Sequence, residues 1–211
     1  QGTDSWIQHR AQHWNASDAP AMLGVSPYKS RAELLRERAT GISQEFDAAT
    51  QRRFDDGHRF EALARSLAEK IVGDELFPVT GVEGRYSASF DGLTMLEDTA
   101  FEHKSINDEL RDAIQPNNSI NAIPEHYRVQ MEQQCMVSGA ERVLFMASKW
   151  TDDGELIEER HCWYYPDAEL RARIVAGWDQ FERDLADYKP EAVDTKPSGR
   201  SPETLPALRI E

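Results

Sequence analysis

The sequence predicts an α/β fold, because helical and strand-like segments alternate along its 211 residues. The first observation is a long helix at 48–72, where apolar residues recur at spacings of three and four. The second is a series of short β-like runs at 74–104, separated by glycines and acidic residues. The third is a strand hairpin at 142–165, which follows a helix at 124–138 and precedes a helix at 166–188.

Length and composition predict a single domain at 1–190 with a C-terminal tail at 191–211. A hydrophobic fraction of 39% and five tryptophans are sufficient for a substantial core. The tail is rich in proline, serine, threonine and charge, so we expect it to be extended or disordered. The chain begins at Gln1 rather than methionine, so we expect the natural N-terminus to be missing or trimmed.

The formal net charge of −14 argues against a protein that coats itself in nucleic acid. It does not exclude a DNA enzyme whose basic residues are gathered in one channel. Arginine outnumbers lysine by 18 to 6, which is compatible with bidentate contacts to phosphate.

The cysteines and histidines predict neither a zinc site nor a disulfide framework. Cys135 and Cys162 form no CxxC pair, and the six histidines are scattered singly. We therefore expect two reduced core thiols and a cytoplasmic location, with no signal peptide and no membrane span in the sequence.

The N-terminal part of the chain predicts three short helices, at 5–14, 19–23 and 31–39. Trp6 and Ile7 are expected to face inward in the first helix. Ser30 is expected to cap the third helix, and Gly41 to end it. In the segment Asn15-Ala16-Ser17-Asp18, hydroxyl and amide groups precede the second helix. With Arg10 nearby, such a helix start can hold a phosphate, although ordinary helix capping explains the same residues.

The helix at 48–72 carries a predicted buried stripe of Phe60, Leu63, Leu67 and Ile71. Glu61 lies on a neighbouring face, one turn after Gly57 and beside Ala64 and Ala68. A glutamate among small residues can be partly buried and directed at a site. A simply solvated glutamate is the alternative.

The β-like region predicts an antiparallel meander with strands at 76–79, 85–90, 93–96 and 99–105. Asp91-Gly92 is expected at a turn, and Glu102-His103-Lys104 within the last strand. If these strands fold back on each other, two carboxylates and one ammonium group converge. The segment 107–123 is expected to be a mobile loop.

This convergence suits a divalent metal ion and a phosphate. Hard cations such as Mg²⁺ or Mn²⁺ prefer oxygen ligands, which Asp91, Glu102 and the backbone carbonyl of His103 can provide. Lys104 can orient a water molecule or stabilise charge on phosphorus. Two other acid-x-Lys triplets occur, but they lie at a helix end and in the tail. An ordinary strand ion pair beside an ordinary turn aspartate is the alternative interpretation.

Five motifs follow one another between Trp6 and Trp150, and their succession resembles the lambda-exonuclease-type viral recombinases, or YqaJ-like alkaline exonucleases, of the PD-(D/E)XK nuclease superfamily. The motifs are Arg10 with Asn15-Ala16-Ser17-Asp18, Gly57-x-x-x-Glu61, Ser89-Phe90-Asp91-Gly92, Glu102-His103-Lys104 and Tyr127-x-x-Gln130. One departure is Phe90, which stands where the superfamily name has proline.

The resemblance implies a restriction-endonuclease-like core, in which a mixed central β-sheet is flanked by α-helices. It implies Mg²⁺-dependent digestion of one strand of linear duplex DNA from 5′ to 3′. Asp91 and Glu102 would bind the metal, with Lys104, Glu61 and Gln130 as further active-site residues. Arg10 and Ser17 would hold the 5′-phosphate of the DNA end.

The family also suggests a homotrimeric ring around DNA and a single-strand annealing protein as partner, in a bacterial cell with phage or prophage origin. Two alternatives remain open. One is a restriction-type endonuclease or a helicase-linked nuclease domain, and the other is a non-catalytic module that binds DNA ends.

Overall fold

A six-stranded mixed sheet with helices on both faces organises the chain. The computed structural model describes residues 4–41, 48–115 and 122–189. The helices are α1 (Asp4–Gln12), α2 (Ala19–Met22), α3 (Arg31–Thr40), α4 (Ala48–Val72), α5 (Asp108–Ala113), α6 (Glu125–Ser138) and α7 (Ala168–Ala186). The strands are β1 (Trp14–Asn15), β2 (Phe77–Glu83), β3 (Tyr86–Leu93), β4 (Thr99–Ser105), β5 (Arg142–Trp150) and β6 (Leu156–Tyr164).

Strand β3 is the branching point of the sheet. Strand β2 runs antiparallel along one edge of β3, from Glu83 opposite Tyr86 to Phe77 opposite Leu93. The other edge is shared by β1, which is parallel to the start of β3, and β4, which is antiparallel to its end. The order then continues through β5, parallel to β4, to β6, antiparallel to β5. The predicted mixed sheet is thus confirmed.

The two faces of the sheet are covered by different helices. On β5, Val143, Phe145 and Ala147 pack in one cluster with residues of α5 and α6. The intervening Leu144 and Met146 pack with α4 on the opposite face, as the two-residue period of a strand requires. A third cluster joins α2, α3 and α7 to α6.

Helix α4 approaches the sheet through its small residues. Ala64 and Ala68 are fully buried, whereas Ile71 is 36% exposed. The predicted stripe through Phe60, Leu63, Leu67 and Ile71 is therefore not the most buried face. Alanines allow a helix to lie close to a sheet, so α4 turns the face with Ala64 and Ala68 toward it. Glu61 lies on this same face.

The predicted turn at Asp91-Gly92 is wrong, because β3 continues through both residues to Leu93. The reversal lies at 94–98 instead, where Glu97 adopts a positive φ of 59°. Gly92 serves close packing, since a Cβ there would lie 2.8 Å from the Cβ of Leu76. The separate strand predicted at 93–96 does not exist for the same reason.

The predicted loop at 107–123 contains helix α5. Its start is capped by Asn107, whose Oδ1 accepts a hydrogen bond of 2.8 Å from the Leu110 amide, and Leu110 is fully buried. The rest of that expectation partly concerns residues 116–121, which lie outside the described residues. The predicted tail at 191–211 and the inward side chains of Trp6 and Ile7 lie outside the described part as well.

Helix boundaries set by cap residues are confirmed. Ser30 and Glu33 form a reciprocal capping box at the start of α3, and Gly41 ends it with a φ of 69°. Gly139 ends α6 with a φ of 77°. Across the described ranges, the chain has no helix with the length and apolar character needed to cross a membrane.

Candidate active site

The candidate site lies where β3 and β4 separate. Their ladder is limited, in the described sheet, to Gly92 opposite Phe101 and Leu93 opposite Ala100. Immediately beyond this ladder the strands carry Asp91 and Glu102. The backbone amide of His103 donates to Asp91 Oδ2 at 2.8 Å. A side-chain carboxylate therefore replaces the strand carbonyl that the amide would otherwise meet.

Glu102 accepts three hydrogen bonds while only 2% exposed. Its Oε1 accepts from Lys104 Nζ and from Gln130 Nε2, the latter at 2.7 Å. Its Oε2 accepts from Gln134 Nε2 at 2.6 Å. Because Gln130 and Gln134 are four residues apart, they lie on one face of α6 and reach the same carboxylate.

Helix α4 brings Glu61 to the other side of the site. Arg65, one turn after Glu61, donates from Nη1 to the backbone carbonyl of Asp91 at 2.8 Å. The same guanidinium lies 3.7 Å from Glu61 Oε1. The Arg65 contact holds α4 against β3 and so keeps Glu61 near Asp91 and Lys104. The charge of Glu61 raises the pKa of both groups.

Crowding of negative charge is the main electrostatic feature of the site. Burial raises the pKa of Asp91 well above its ordinary value, and the nearby Glu102 and Glu61 raise it further. Lys104 and the amide of His103 oppose this rise. Burial alone would lower the pKa of Lys104, but the charges of Glu102 and Asp91 outweigh it and raise that pKa. Lys104 is therefore an ammonium ion.

The donor set fits a hard divalent cation. Among the described residues there is no cluster of three or more His, Cys, Asp or Glu side chains arranged to hold a metal. The set is instead two carboxylates and a carbonyl. The N–H and C=O groups of one extended residue point to the same edge of its strand, so the His103 carbonyl faces Asp91 as its amide does. Buried carboxylates with one ammonium group between them favour a further cation.

The imidazole of His103 does not take part in this set. It hydrogen-bonds Ser148 Oγ on β5 at 2.7 Å and is buried. Burial, with the charge of Lys104, lowers the pKa of His103 to about 4, so the ring is neutral at neutral pH. This side chain therefore serves the packing of β4 on β5.

The second predicted pair, Arg10 and Ser17, also meets. Arg10 Nη1 donates to Ser17 Oγ at 3.0 Å, and Arg10 Nη2 donates to Asp18 Oδ2 at 3.0 Å. Arg38, from α3, donates to the same Asp18 oxygen at 3.2 Å. Two guanidinium groups thus share the carboxylate of Asp18, and this arrangement is suited to an anion.

The two groups of residues are joined through β3 and α6. Ser87, at the start of β3, donates to Asn15 Oδ1 at 2.8 Å, beside Ser17. Asp91 is four residues further along the same strand, or about 13 Å at the usual rise. On α6, Gln133 donates to the Trp14 carbonyl at 2.6 Å, while the adjacent Gln134 donates to Glu102.

Two contributors were not predicted as site residues. Gln134 shares the face of Gln130, and its position one turn later is the signal that identifies it. Arg38 has no comparable signal, because 28 residues separate it from Arg10 in sequence. Its guanidinium lies 5.4 Å from the centre of the Trp14 ring, and only the packing of α3 brings it there.

Comparison with known proteins adds a family and a fold. The model of the YqaJ-like viral recombinase domain matches residues 5–141. The structure resembles the alkaline exonuclease LHK-Exo from Laribacter hongkongensis at 21% identity, covering 88% of this chain and 93% of that one. The TM-score is 0.62, and it is 0.66 for LHK-Exo in complex with dAMP.

A phage-related exonuclease from Haemophilus somnus 129PT is similar at 13% identity, with a TM-score of 0.58. That match covers 86% of this chain and 99% of the other. The comparison with curated proteins gave no match. At these identities the solved structures establish the fold, while the family model covers most of the chain, including Arg10, Asp91, Glu102, Lys104 and Gln130. The chain belongs to the YqaJ-like viral recombinase domain family and shares its fold with the alkaline exonucleases.

Proposed function

We propose that this protein is a Mg²⁺-dependent exonuclease that digests one strand of linear duplex DNA from a 5′-phosphorylated end. Digestion would run from 5′ to 3′ and leave a 3′ single-stranded tail for recombination by strand annealing. The supporting observation is the meeting of Asp91, Glu102 and Lys104 at the opening between β3 and β4. Family membership and the fold of the alkaline exonucleases support the same reaction class.

Asp91, Glu102 and the backbone carbonyl of His103 would hold Mg²⁺, and Mn²⁺ is an expected substitute. When bound, the ion would supply Lewis acidity, which lowers the pKa of an attacking water and stabilises the leaving oxygen. Lys104 keeps its proton on Nζ, so it can orient that water and stabilise charge on the phosphate.

Gln130 and Glu61 complete the proposed active site. Gln130 donates to the same Glu102 oxygen as Lys104, so its amide lies beside the ammonium group and can place the water or the scissile phosphate. Glu61 adds negative charge next to Asp91 and Lys104. It thereby increases the preference of the site for a cation.

Arg10 and Ser17 would bind the terminal 5′-phosphate and so restrict the reaction to DNA ends. Arg10 is held by Ser17 and Asp18, and Arg38 adds a second guanidinium. A dianionic 5′-phosphate would be attracted to this pair more strongly than a 5′-hydroxyl. LHK-Exo has been crystallised with dAMP, a nucleoside 5′-monophosphate.

The assembly belongs to the same proposal. A homotrimeric ring would enclose the duplex, with basic side chains in its channel and the acidic side chains that give each chain its net charge of −14 mostly outside. A single-strand annealing protein would receive the 3′ tail, in the bacterial cytoplasm and with phage or prophage origin.

The test is a time course on linear duplex with 5′-phosphate or 5′-hydroxyl ends, with and without Mg²⁺. We expect release of 5′-mononucleotides that needs Mg²⁺ and is faster from the phosphorylated end. Lys104→Met keeps the bulk of the side chain but removes its charge. We expect this variant to lose about 100-fold or more in rate and still bind the DNA end.

Closed circular DNA separates the alternatives. Cleavage of covalently closed circles would contradict dependence on ends and favour an endonuclease. No hydrolysis by the wild type, together with binding to DNA ends, would favour a non-catalytic module. Wild-type rates in Lys104→Met would remove the catalytic assignment.

A further inference from the structure

An aromatic cluster lies beside the candidate active site and has no role in the reaction as proposed. It consists of Tyr28, in the loop after α2, with His126 and Tyr127 in the first turn of α6. The rings of Tyr28 and His126 meet edge to face, with centres 5.9 Å apart. The rings of His126 and Tyr127 are 3.9 Å apart, and Tyr127 packs on Phe145 of the core.

The cluster adjoins the site through the face of α6 that binds Glu102. His126, Gln130 and Gln134 are four residues apart in turn, so they form one row along the helix. Gln130 and Gln134 donate to Glu102, and His126 lies one step further, about 6 Å along the axis. Burial lowers the pKa of His126, and although Glu109 opposes this, Lys104 of the site adds to it. The row therefore runs from the active site to the aromatic cluster.

Tyr28 is exposed, although its loop is held in place. The side chain is 77% exposed, the largest exposure among the tyrosines described as exposed. The hydroxyl of Ser26 accepts from the amides of Tyr28 at 3.2 Å and Lys29 at 3.3 Å. The His126 ring supports Tyr28 from below, and the Nε2 atom of His126 is buried with no hydrogen-bond partner in the described structure. An aromatic ring kept in water by an ordered loop is available to a flat ligand.

We propose that Tyr28, supported by His126, is a stacking platform for a nucleobase of the DNA strand that enters the active site. The proposal rests on the proposed function. It adds a contact to the base, whereas the residues of the proposed active site and of the 5′-phosphate site would contact metal or phosphate. Every base has a π-face, so such a platform accepts any sequence. In a nucleotide the base and the phosphate are linked through one sugar and lie close together. The Tyr28 ring can therefore contact the base while the adjacent active site contacts the phosphate.

The first measurement is binding of a 5′-phosphorylated duplex in EDTA, with 2-aminopurine at the first, second or third nucleotide of the 5′ strand. Wild-type protein is expected to quench the fluorescence at one of these positions. Tyr28→Ala should abolish that quenching and weaken binding about 10-fold, whereas Tyr28→Phe, which keeps the ring, should bind within twofold of wild type. Tyr165→Ala removes another exposed tyrosine and is expected to change neither quantity.

The second measurement removes the base instead of the ring. An abasic residue at the quenched position should weaken wild-type binding about as much as Tyr28→Ala does. The variant should then lose no further affinity on the abasic substrate, because the two changes remove one contact.

Equal binding by Tyr28→Ala and wild type would overturn the platform, as would a full effect of Tyr28→Ala on abasic DNA. Failure of the proposed function has a different result, since wild-type protein would then not hydrolyse DNA ends, whether or not it binds them in EDTA. An unchanged unfolding midpoint of Tyr28→Ala verifies that its fold is intact.

Discussion

Glu102 is the residue on which the candidate site depends, because α6 and β4 both bind its carboxylate. Lys104 and Gln130 share Oε1, while Gln134 alone among the described partners donates to Oε2. A metal ligand must be held in one orientation, and groups behind it supply that restraint. Gln134 also donates to the Ser89 carbonyl at 3.2 Å, so it ties Glu102 to β3.

Gln134→Met is predicted to weaken metal binding. Methionine has a similar length but no donor, so the Glu102 carboxylate loses its hydrogen bond at Oε2 and, among the described contacts, is held only at Oε1. We expect the Mn²⁺ dissociation constant, measured from free Mn²⁺ by electron paramagnetic resonance, to rise about 10- to 100-fold. The Mg²⁺ concentration for half-maximal hydrolysis should rise in parallel.

Gln133→Met is the matched control, since Gln133 is equally buried on the same helix. Its amide contacts Trp14, Ser87 and Trp178 rather than Glu102. We expect this variant to lose stability but to keep its Mn²⁺ affinity. An equal loss of affinity in both variants would show that Gln134 acts only through packing.

The thiols give a prediction for pH dependence. Burial raises the pKa of Cys135 to about 12 and that of Cys162 to about 11, from an ordinary value of 9.0. At pH 8 the thiolate fraction of Cys135 is therefore about 1 in 10,000, compared with about 1 in 10 for an unperturbed thiol. Since only the thiolate reacts, both cysteines should react slowly with Ellman's reagent in the folded protein.

Cys162 is expected to react first, because it is less buried and its pKa is lower. Each rate should increase about tenfold per pH unit from 7 to 9, since both pKa values lie above that range. Protein unfolded in guanidinium should react immediately. Fast reaction of either thiol in the folded state at pH 8 would contradict the raised pKa values of both thiols.

At the scale of elements, the site depends on strand β3 passing Asp91 without turning. Gly92 makes this possible because a side chain there would meet Leu76 Cβ at 2.8 Å and Phe101 Cβ at 3.3 Å. The sequence Asp91-Gly92 is typical of a turn, so local propensity alone gives the wrong element. Leu76 precedes β2 and Phe101 belongs to β4, and a single sequence does not show that both approach Gly92.

Gly92→Ala is predicted to destabilise the fold and to disturb the site together. The added methyl group must displace β3 from Leu76, at a cost of about 1–3 kcal/mol in the free energy of unfolding. Because Asp91 is the adjacent residue, we expect metal affinity to fall as well. Urea unfolding and Mn²⁺ titration measure the two effects, and wild-type values in both would contradict the packing role.

Other elements could be predicted because their signals are local. Ser30, with Glu33 in its capping box, marks the start of α3, and Gly41 marks its end. Gly139 marks the end of α6. The structure has these helix ends at the positions that the cap residues indicate. Helix α5 is not apparent in the sequence because its six residues are mostly polar, and only Leu110 and Ala113 are buried. The burial of Ala64 rather than Ile71 depends on which face α4 turns to the sheet.

At the scale of the whole molecule, the sequence predicted the groups of the site but not what joins them. Asp91, Glu102 and Lys104 are near in sequence, and so are Arg10 and Ser17. The parallel pairing of β1 with β3 and the glutamines of α6 hold these two groups of residues together in the fold. These contacts link residues that are distant in the chain: Gln134 is 32 positions from Glu102, Ser87 is 72 from Asn15, and Gln133 is 119 from Trp14. Local patterns carry no information on such pairings.

The proposed ring predicts processive digestion. Because the chain has a net charge of −14, open association with DNA should be weak and sensitive to salt, whereas an enclosed duplex cannot dissociate sideways. Sedimentation should give three times the chain mass of 24.0 kDa. If enzyme is loaded on labelled duplex and excess unlabelled ends are added with Mg²⁺, digestion of the labelled DNA should continue for many nucleotides. Salt added with the trap should then reduce new loading far more than ongoing digestion. Release after one or a few nucleotides, or a monomeric mass, would contradict the ring while leaving the chemistry of Asp91, Glu102 and Lys104 intact.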